Sequence, residues 1–174
     1  LVFTKNTTEA INLGLRGLLK SGDHVITTSM EHNSVIRPIR SLTENGISYT
    51  LVKADPKGAI DCREIEKVIQ KNTKLIIVTA ASNVTGTKMP LDELGKIAKD
   101  KGILFMVDGA QGAGNMNLDV EKLNIDIEEF GIENFNNECR KSVRENESAF
   151  TDLTHKMGQF IDVKNPYITY DNNY

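Results

Sequence analysis

The sequence predicts an α/β protein built on a mostly parallel, doubly wound sheet. Two runs, LIIVT at residues 75–79 and ILFMV at residues 103–107, are almost wholly apolar and lack the alternation of a half-exposed strand. Such runs are typical of central strands that are covered on both faces. Segments with helical periodicity separate the predicted strands, and strands that alternate with helices pair in parallel through right-handed crossovers.

Capping residues mark two helix starts. Asn6 is followed three residues later by Glu9, which resembles a capping box and predicts a helix that ends at Gly22. Asp61 and Glu64 repeat the pattern at the start of another helix. The apolar positions of these two helices that are expected to face the core are Ile11, Leu15, Leu18, Leu19, Ile65, Val68 and Ile69.

Proline and glycine mark the other helices. Pro38 lies inside a helical pattern that runs to Glu44 and is closed by Gly46, so a kink or a restart is predicted there. Pro90 opens a helix that Gly102 ends, with Leu91, Leu94, Ile97 and Ala98 on one face. Strands are predicted at residues 1–4, 24–28, 47–52, 75–79 and 103–107.

Composition limits the classes of function. The 174 residues, 39% of them hydrophobic, suffice for one domain of ordinary size. A net charge of -3 supplies no basic field for nucleic acid, and no apolar run has the ~20 residues of a membrane span. Cys62 and Cys139 lack metal-ligand spacing. With no signal peptide in view, we expect a reducing, cytoplasmic environment.

Composition changes sharply near residue 127. Residues 1–127 carry 16 basic and 15 acidic residues, whereas residues 128–174 carry 5 and 9. Seven of the ten Phe and Tyr residues follow residue 127. The sequence therefore predicts a junction there between two segments of different origin, which would not form one cooperative unit.

Asp108 directly follows the apolar run at residues 103–107. Ligands of open α/β sheets bind at the carboxyl ends of the strands, where an aspartate can meet a cationic group such as a protonated ring nitrogen. The alternative is that Asp108 only caps the next turn. Gln111 lies three residues further on, so both side chains can point into one crevice.

Three other loops carry polar residues at strand ends. KNTTEAIN places Thr7 and Thr8 at a helix start, which favours an anion site as much as plain N-capping. His32, in SMEHNSV, is interpreted as a surface residue, a base or a flat surface for an aromatic ring. Asn83, in ASNVTGTKMP, can donate to an anionic oxygen or can form an Asx turn.

With these four loops in order, residues 1 to about 127 resemble class V aminotransferases, and most of all the cysteine desulfurase branch. The resemblance implies the large domain of a fold-type I enzyme, pyridoxal 5'-phosphate as cofactor, cysteine as the small amino-acid substrate and a homodimer. The reaction of that branch takes cysteine to alanine and leaves the sulfur as a persulfide on an enzyme cysteine.

The resemblance also implies a role for each loop residue. The threonine pair, Thr7 and Thr8, would hold the cofactor phosphate, and His32 would stack on the ring and take part in proton transfer. Asn83 would lie near the cofactor hydroxyl and the substrate. Asp108 would hold the ring nitrogen, and Gln111 would donate to the phenolic oxygen.

The lysine that the family uses is not found where the resemblance places it. Enzymes of this kind hold the cofactor as a Schiff base on the lysine of an HK motif, about two dozen residues after the aspartate. Asn134 stands at that distance, and the next lysine, Lys141, has no such motif. His155 and Lys156 imitate the motif about twice as far along, so Lys156 is a weak catalytic candidate. Neither Cys62 nor Cys139 matches the sulfur acceptor.

Residues 128–174, with FGIENFNNECRKSV and NPYITYDNNY, resemble a piece of isoleucyl-tRNA synthetase and are expected to be mainly helical. Neither ATP signature of that enzyme, HIGH or KMSKS, is present. The sequence therefore predicts an inactive, fused fragment of a cysteine desulfurase-like enzyme. The alternatives are a class V aminotransferase or lyase that acts on another amino acid, and a non-catalytic chimeric fragment.

Overall fold

A computed structural model describes residues 2–118. Four helices and four strands alternate along this part of the chain, and none of its helices is long and apolar enough to span a bilayer. In order they are α1 (Thr7–Leu18), β1 (His24–Thr28), α2 (Asn33–Leu42), a 3₁₀ turn (Thr43–Asn45), β2 (Ser48–Val52), α3 (Cys62–Lys67), β3 (Thr73–Thr79), α4 (Leu91–Asp100) and β4 (Leu104–Asp108).

The four strands form one sheet in the order β2-β1-β3-β4, and every neighbouring pair is parallel. At the centre, Ile76 of β3 pairs with Ile26 of β1 and with Phe105 of β4. Thr79 and Asp108, the last residues of β3 and β4, pair with each other. The parallel α/β sheet predicted from the apolar runs is confirmed.

The core lies on both faces of this sheet. On one face, Ile76 and Val78 belong to a buried cluster with Ile65 of α3 and Leu94 of α4. On the other face, Leu75 and Ile77 pack with α1 and α2, through Ile11, Leu15, Val35 and Ile39. Burial on both faces explains why β3 is apolar without alternation. The doubly wound arrangement is therefore confirmed.

Three details differ from the sequence predictions. Residues 2–4 are not in a strand of the described sheet, and Phe3 is 79% exposed, because three residues form a strand only where a neighbour offers a ladder. Helix α3 ends at Lys67, so Val68 and Ile69 reach the core from the following turn. Helix α2 runs through Pro38 without a restart. Burial of its apolar face offsets the one backbone hydrogen bond that proline removes.

Because all four strands are parallel, their carboxyl ends lie at one edge of the sheet. The loops that follow β1, β3 and β4 therefore meet at this edge. The predicted functional residues are carried by these loops and by the start of α1.

Candidate functional site

A cavity of about 250 Å³ lies at this edge. All six predicted cofactor residues line it: Thr7, Thr8, His32, Asn83, Asp108 and Gln111. Five further residues also contribute, none of which the sequence reasoning assigned to the cofactor site: Asn6, Ser34, Thr79, Ala81 and Ala110. The sequence predicts Asn6 only as a helix cap. The small or hydroxylated side chains of the other four carry no signal in a single sequence, because their positions depend on tertiary packing.

The start of α1 forms one wall of the cavity. Asn6 caps the helix, its Oδ1 accepting from the Glu9 amide at 2.9 Å. The Glu9 carboxylate accepts from the Lys5 amide rather than from that of Asn6, so the predicted capping box is only half formed. Because the first amides of a helix have no partner within it, those of Thr7 and Thr8 remain available. N-capping by Asn6 therefore leaves these two amides available to a ligand.

His32 caps a second helix. Its Nδ1 accepts from the Ser34 amide at 3.1 Å and lies 2.8 Å from Ser34 Oγ, which makes His32 the N-cap of α2. The amide bond fixes the ring and leaves Nε2 as the nitrogen that bears the proton in the neutral form. The side chain is exposed at the mouth of the cavity. The sequence reasoning did not predict this cap, although histidine two residues before serine is compatible with it.

The loop after β3 exposes Asn83. The turn there is made by Ser82, whose Oγ accepts from the amides of Val84 and Thr85, each at 3.3 Å. The Asx turn considered for Asn83 is therefore not formed. Among residues 2–118, no hydrogen bond engages the Asn83 amide group, which lines the cavity. It is available to a ligand.

Asp108 stabilises the turn that follows β4 and also lines the cavity. Its Oδ1 accepts from the Ala110 amide at 3.0 Å, which is the turn that the alternative reading predicted. The residue is only 3% exposed and still lines the cavity. Within the described range, no Lys or Arg side chain forms an ion pair with its carboxyl. A buried carboxylate without a counter-charge is suited to a cationic ligand group.

Small residues bring Gln111 to the same cavity. A Cβ on Gly112 would lie 2.6 Å from the Cβ of Ala80, so only glycine lets the loop after β4 approach the end of β3 so closely. This approach places the exposed Gln111 at the cavity rim. Close packing thus explains the glycine at position 112.

A second carboxyl, that of Glu31, lies next to this site. Its Oε1 accepts from Thr28 Oγ1 at 2.6 Å, and its Oε2 is buried with no partner among residues 2–118. Burial raises the pKa of Glu31 to about 7, and the charge of Asp108 adds to the shift. Sequence reasoning missed Glu31, because a glutamate after a strand ordinarily indicates a solvated loop.

The cavity adjoins a second groove of about 450 Å³ between α1 and α2. Thr8, His32 and Ser34 line both spaces. Arg16 and Arg37 line the groove, and neither forms an ion pair within the part of the chain that the structure describes. The end of the cavity formed by α1 therefore borders positive charge.

Cys62 is a poor nucleophile. It is buried at the start of α3, and burial, followed by the charge of Glu93, raises the pKa of its thiol to about 12. The thiolate, which is the reactive form, is therefore scarce at neutral pH. The remaining candidates, Cys139, Asn134, Lys141 and Lys156, lie outside the described residues, as does the predicted junction.

The matching family model and similar relatives indicate the same family. The model of the aminotransferase class-V family matches residues 1–133. A probable cysteine desulfurase of Methanothermobacter thermautotrophicus is 42% identical over 131 residues, which are 75% of this chain and 33% of the relative. The mitosomal cysteine desulfurase of Encephalitozoon cuniculi is 38% identical over 133 residues, which are 73% of this chain and 31% of the relative.

Solved structures agree in fold. The apo structure of a cysteine desulfurase from Thermococcus onnurineus NA1 superposes with a TM-score of 0.67 and 43% identity, covering 72% of this chain and 32% of that one. SspA in complex with cysteine gives a TM-score of 0.68 and 32% identity, covering 72% and 37%. The chain spans about a third of the length of these relatives. Its fold is part of the large domain of fold-type I pyridoxal phosphate enzymes, and the chain belongs to the class-V aminotransferase family.

Proposed function

We propose that the cavity binds pyridoxal 5'-phosphate without a covalent bond, and that the chain is an inactive fragment of a cysteine desulfurase-like enzyme. The observation that carries this proposal is the convergence of Thr7, Thr8 and the buried Asp108 on one cavity of about 250 Å³. That volume is below the range typical of drug-sized ligands and suits a single substituted ring.

The residues present fit the two charged ends of the cofactor. The unpaired amides and hydroxyls of Thr7 and Thr8 at the start of α1 would hold the phosphate, favoured by the helix dipole. The carboxyl of Asp108, buried and without a counter-cation in the described region, would keep the ring nitrogen protonated.

The other lining residues would orient the ring. His32, held by Ser34 through Nδ1, lines the cavity and would stack on the ring, and Nε2 is the atom at which it would hold or move a proton. Asn83 and Gln111 would donate to oxygens of the cofactor or the substrate. When bound, the protonated cofactor ring supplies an electron sink for a carbanion at the substrate α carbon.

The proposal of inactivity rests on residues that the chain lacks at the expected places. Asn134 stands where the family has the lysine that binds the cofactor covalently. Cys62 cannot accept sulfur readily, because burial keeps its thiol protonated. Lys156 remains the one candidate lysine, in a segment that we propose to be a fusion of different origin beginning near residue 128.

The substrate and setting are inferred from relatives. Those named above are cysteine desulfurases, and one solved neighbour is described as a complex with cysteine. We therefore take cysteine as the substrate of the parent enzyme, while a homodimer and a cytoplasmic location are proposed from the sequence resemblance alone. The second candidate, an aminotransferase or lyase that acts on another amino acid, is supported by the matching family model, which is that of class-V aminotransferases.

The test of this proposal is a titration of the full chain with pyridoxal 5'-phosphate, followed by absorbance. Asp108→Ala should weaken binding about tenfold or more, because the ring nitrogen loses its counter-charge. Asp100→Ala, at an exposed position of α4, is the matched control and should bind as the wild type does. Equal binding by the Asp108 and Asp100 variants would contradict the proposed site.

A further inference from the structure

Glu31 has no role in the site as described so far, yet its carboxyl is held in an unusual way. The residue follows β1 and folds back so that Thr28, the last residue of β1, donates to its Oε1 at 2.6 Å. The second oxygen, Oε2, is buried and meets no donor at hydrogen-bond geometry in the described part of the chain, although the backbone amide of Thr79 lies close enough to the carboxyl to lower its pKa. An unpartnered buried carboxylate oxygen costs stability, so it calls for a physical reason.

Among residues 2–118, no positive charge compensates the carboxyl of Glu31. Thr28 at the end of β1 and Thr79 at the end of β3 are buried and uncharged. In the same part of the chain, Asp108 at the end of β4 is the titratable group whose charge acts on Glu31. His32, the next residue in the chain, is exposed, and its Nδ1 is bound to Ser34. Two carboxyls therefore share this edge of the sheet.

Neither acid is neutralised within residues 2–118, since no Lys or Arg pairs with Glu31 or Asp108. Two neighbouring carboxyls disfavour each other's ionised form. Burial and, to a smaller extent, the charge of Asp108 raise the pKa of Glu31 to about 7, so Glu31 retains its proton below that pH. A cation bound against Asp108 changes this balance, because it attracts both negative charges.

We propose that Glu31 is a positioning residue behind Asp108, and that binding of a protonated pyridine ring at Asp108 drives the carboxyl of Glu31 to release its proton to solvent. The ionised pair then holds the cation more tightly than Asp108 alone. This inference rests on the proposed function, because it takes a cationic ring as the ligand of the cavity.

The direction of the pH dependence follows from linkage. In the free protein Glu31 is protonated below about pH 7 and ionised above it. Because the bound cation favours the ionised form, ligand affinity should rise as the pH increases toward about 7 and level off above it. Proton release on binding should be largest just below that pH and absent at clearly alkaline pH, where Glu31 is already ionised.

The experiment is isothermal titration calorimetry of the full chain with pyridoxamine 5'-phosphate, which has no aldehyde to react with surface lysines. Titrations in two phosphate-free buffers of different ionisation enthalpy, from about pH 6 to about pH 8.5, count the protons released. Glu31→Gln keeps the shape of the side chain and removes the titration. Glu44→Gln, at an exposed position, is the matched control.

From about pH 6 to about pH 8.5, the affinity of the wild type and of Glu44→Gln should increase roughly three- to tenfold more than the affinity of Glu31→Gln does. This is the increase expected if ligand binding lowers the pKa of Glu31 by up to about one unit. Near pH 7, the wild type and Glu44→Gln should also release up to about half a proton more per bound ligand than Glu31→Gln releases. Titration of the ligand's own phosphate and ring occurs in all three proteins and cancels in the comparison.

A Glu31→Gln profile that matches the wild type would overturn the coupling while leaving the proposed function intact. No binding of the probe by the wild type would overturn both. If Glu31→Gln does not fold, Thr28→Val serves instead, because loss of the hydrogen bond to the ionised form raises the pKa of Glu31 further. The rise in affinity should then move to higher pH, and an unmoved profile contradicts the inference.

Discussion

Several side chains at this site make a local hydrogen bond and also line the cavity or lie next to it. Asp108 accepts a hydrogen bond from the Ala110 amide through Oδ1, and the residue also lines the cavity. Glu31 folds back to accept from Thr28, and burial makes its negative charge costly. His32 caps α2 and presents its ring to the cavity. Local hydrogen bonds thus fix the very side chains that a ligand would meet.

Cys62 provides a test at this scale. With Cys139→Ser to leave a single thiol, alkylation of the native protein near pH 8 should be more than about 100-fold slower than in denaturant, because a pKa of about 12 leaves almost no thiolate. Mass spectrometry of quenched samples measures the rate. Rapid native alkylation would show that the thiol is accessible and ionised, and would return Cys62 to consideration as a sulfur acceptor.

At the scale of elements, His24 ties three strands together at the amino end of the sheet. Its Nδ1 lies 2.9 Å from Thr73 Oγ1 at the start of β3, and its Nε2 lies 2.9 Å from Thr50 Oγ1 of β2. The residue is 1% exposed, and burial lowers the pKa of its ring. The neutral imidazole is therefore part of the folded sheet.

The expected consequence is a loss of stability in acid. The unfolded chain takes up a proton on His24 below about pH 6.5, whereas the folded chain resists protonation until lower pH. The free energy of unfolding should therefore fall as the pH drops from about 6.5 toward the lowered pKa. Denaturant unfolding of wild type and His24→Gln at several pH values measures this, and an equally steep fall in the variant would refute the assignment.

Sequence patterns predicted the elements well where the pattern is local. Apolar runs without alternation indicated β3 and β4, and Asn6 and Asp61 marked helix starts that the structure confirms. The run at residues 2–4 was misassigned as a strand, because a strand depends on a neighbour that local sequence does not reveal.

The site residues came from motifs that recur within a family, which is why all six could be named. Glu31 and Thr79 could not be named, because their importance comes from burial created when β1, β3 and β4 end side by side. The role of His32 as a helix cap was hidden for a similar reason, since it depends on where α2 begins.

At the scale of the whole molecule, the described residues form part of a large-domain fold. The chain spans about a third of its relatives and matches the family over residues 1–133, six residues beyond the junction predicted at 127. The proposed junction and the synthetase-like segment lie outside the described residues. Independent sequencing of the full reading frame tests the junction, because an uninterrupted family sequence past residue 133 would contradict it.

At the scale of the whole molecule, we predict that the chain does not catalyse the release of sulfide from cysteine. Sulfide release from cysteine by the full chain with pyridoxal 5'-phosphate should not exceed that of the free cofactor in the same buffer, because the covalent lysine and the acceptor cysteine are missing from their expected places. Sulfide is measured colorimetrically. Turnover above this background that disappears in Lys156→Ala would show that the lysine of LTHKMG is catalytic.

The central claim is that one cavity, between the start of α1 and the end of β4, binds the phosphorylated pyridine cofactor. The measurement that tests it most directly is a ¹⁵N–¹H NMR titration of the full chain with pyridoxamine 5'-phosphate. The largest shifts should fall on the amides of Thr7, Thr8, Ala110 and Gln111, with little change on the far face at Ile65 and Leu94. Shifts that are absent at saturating ligand, or that concentrate away from these four amides, would contradict the account.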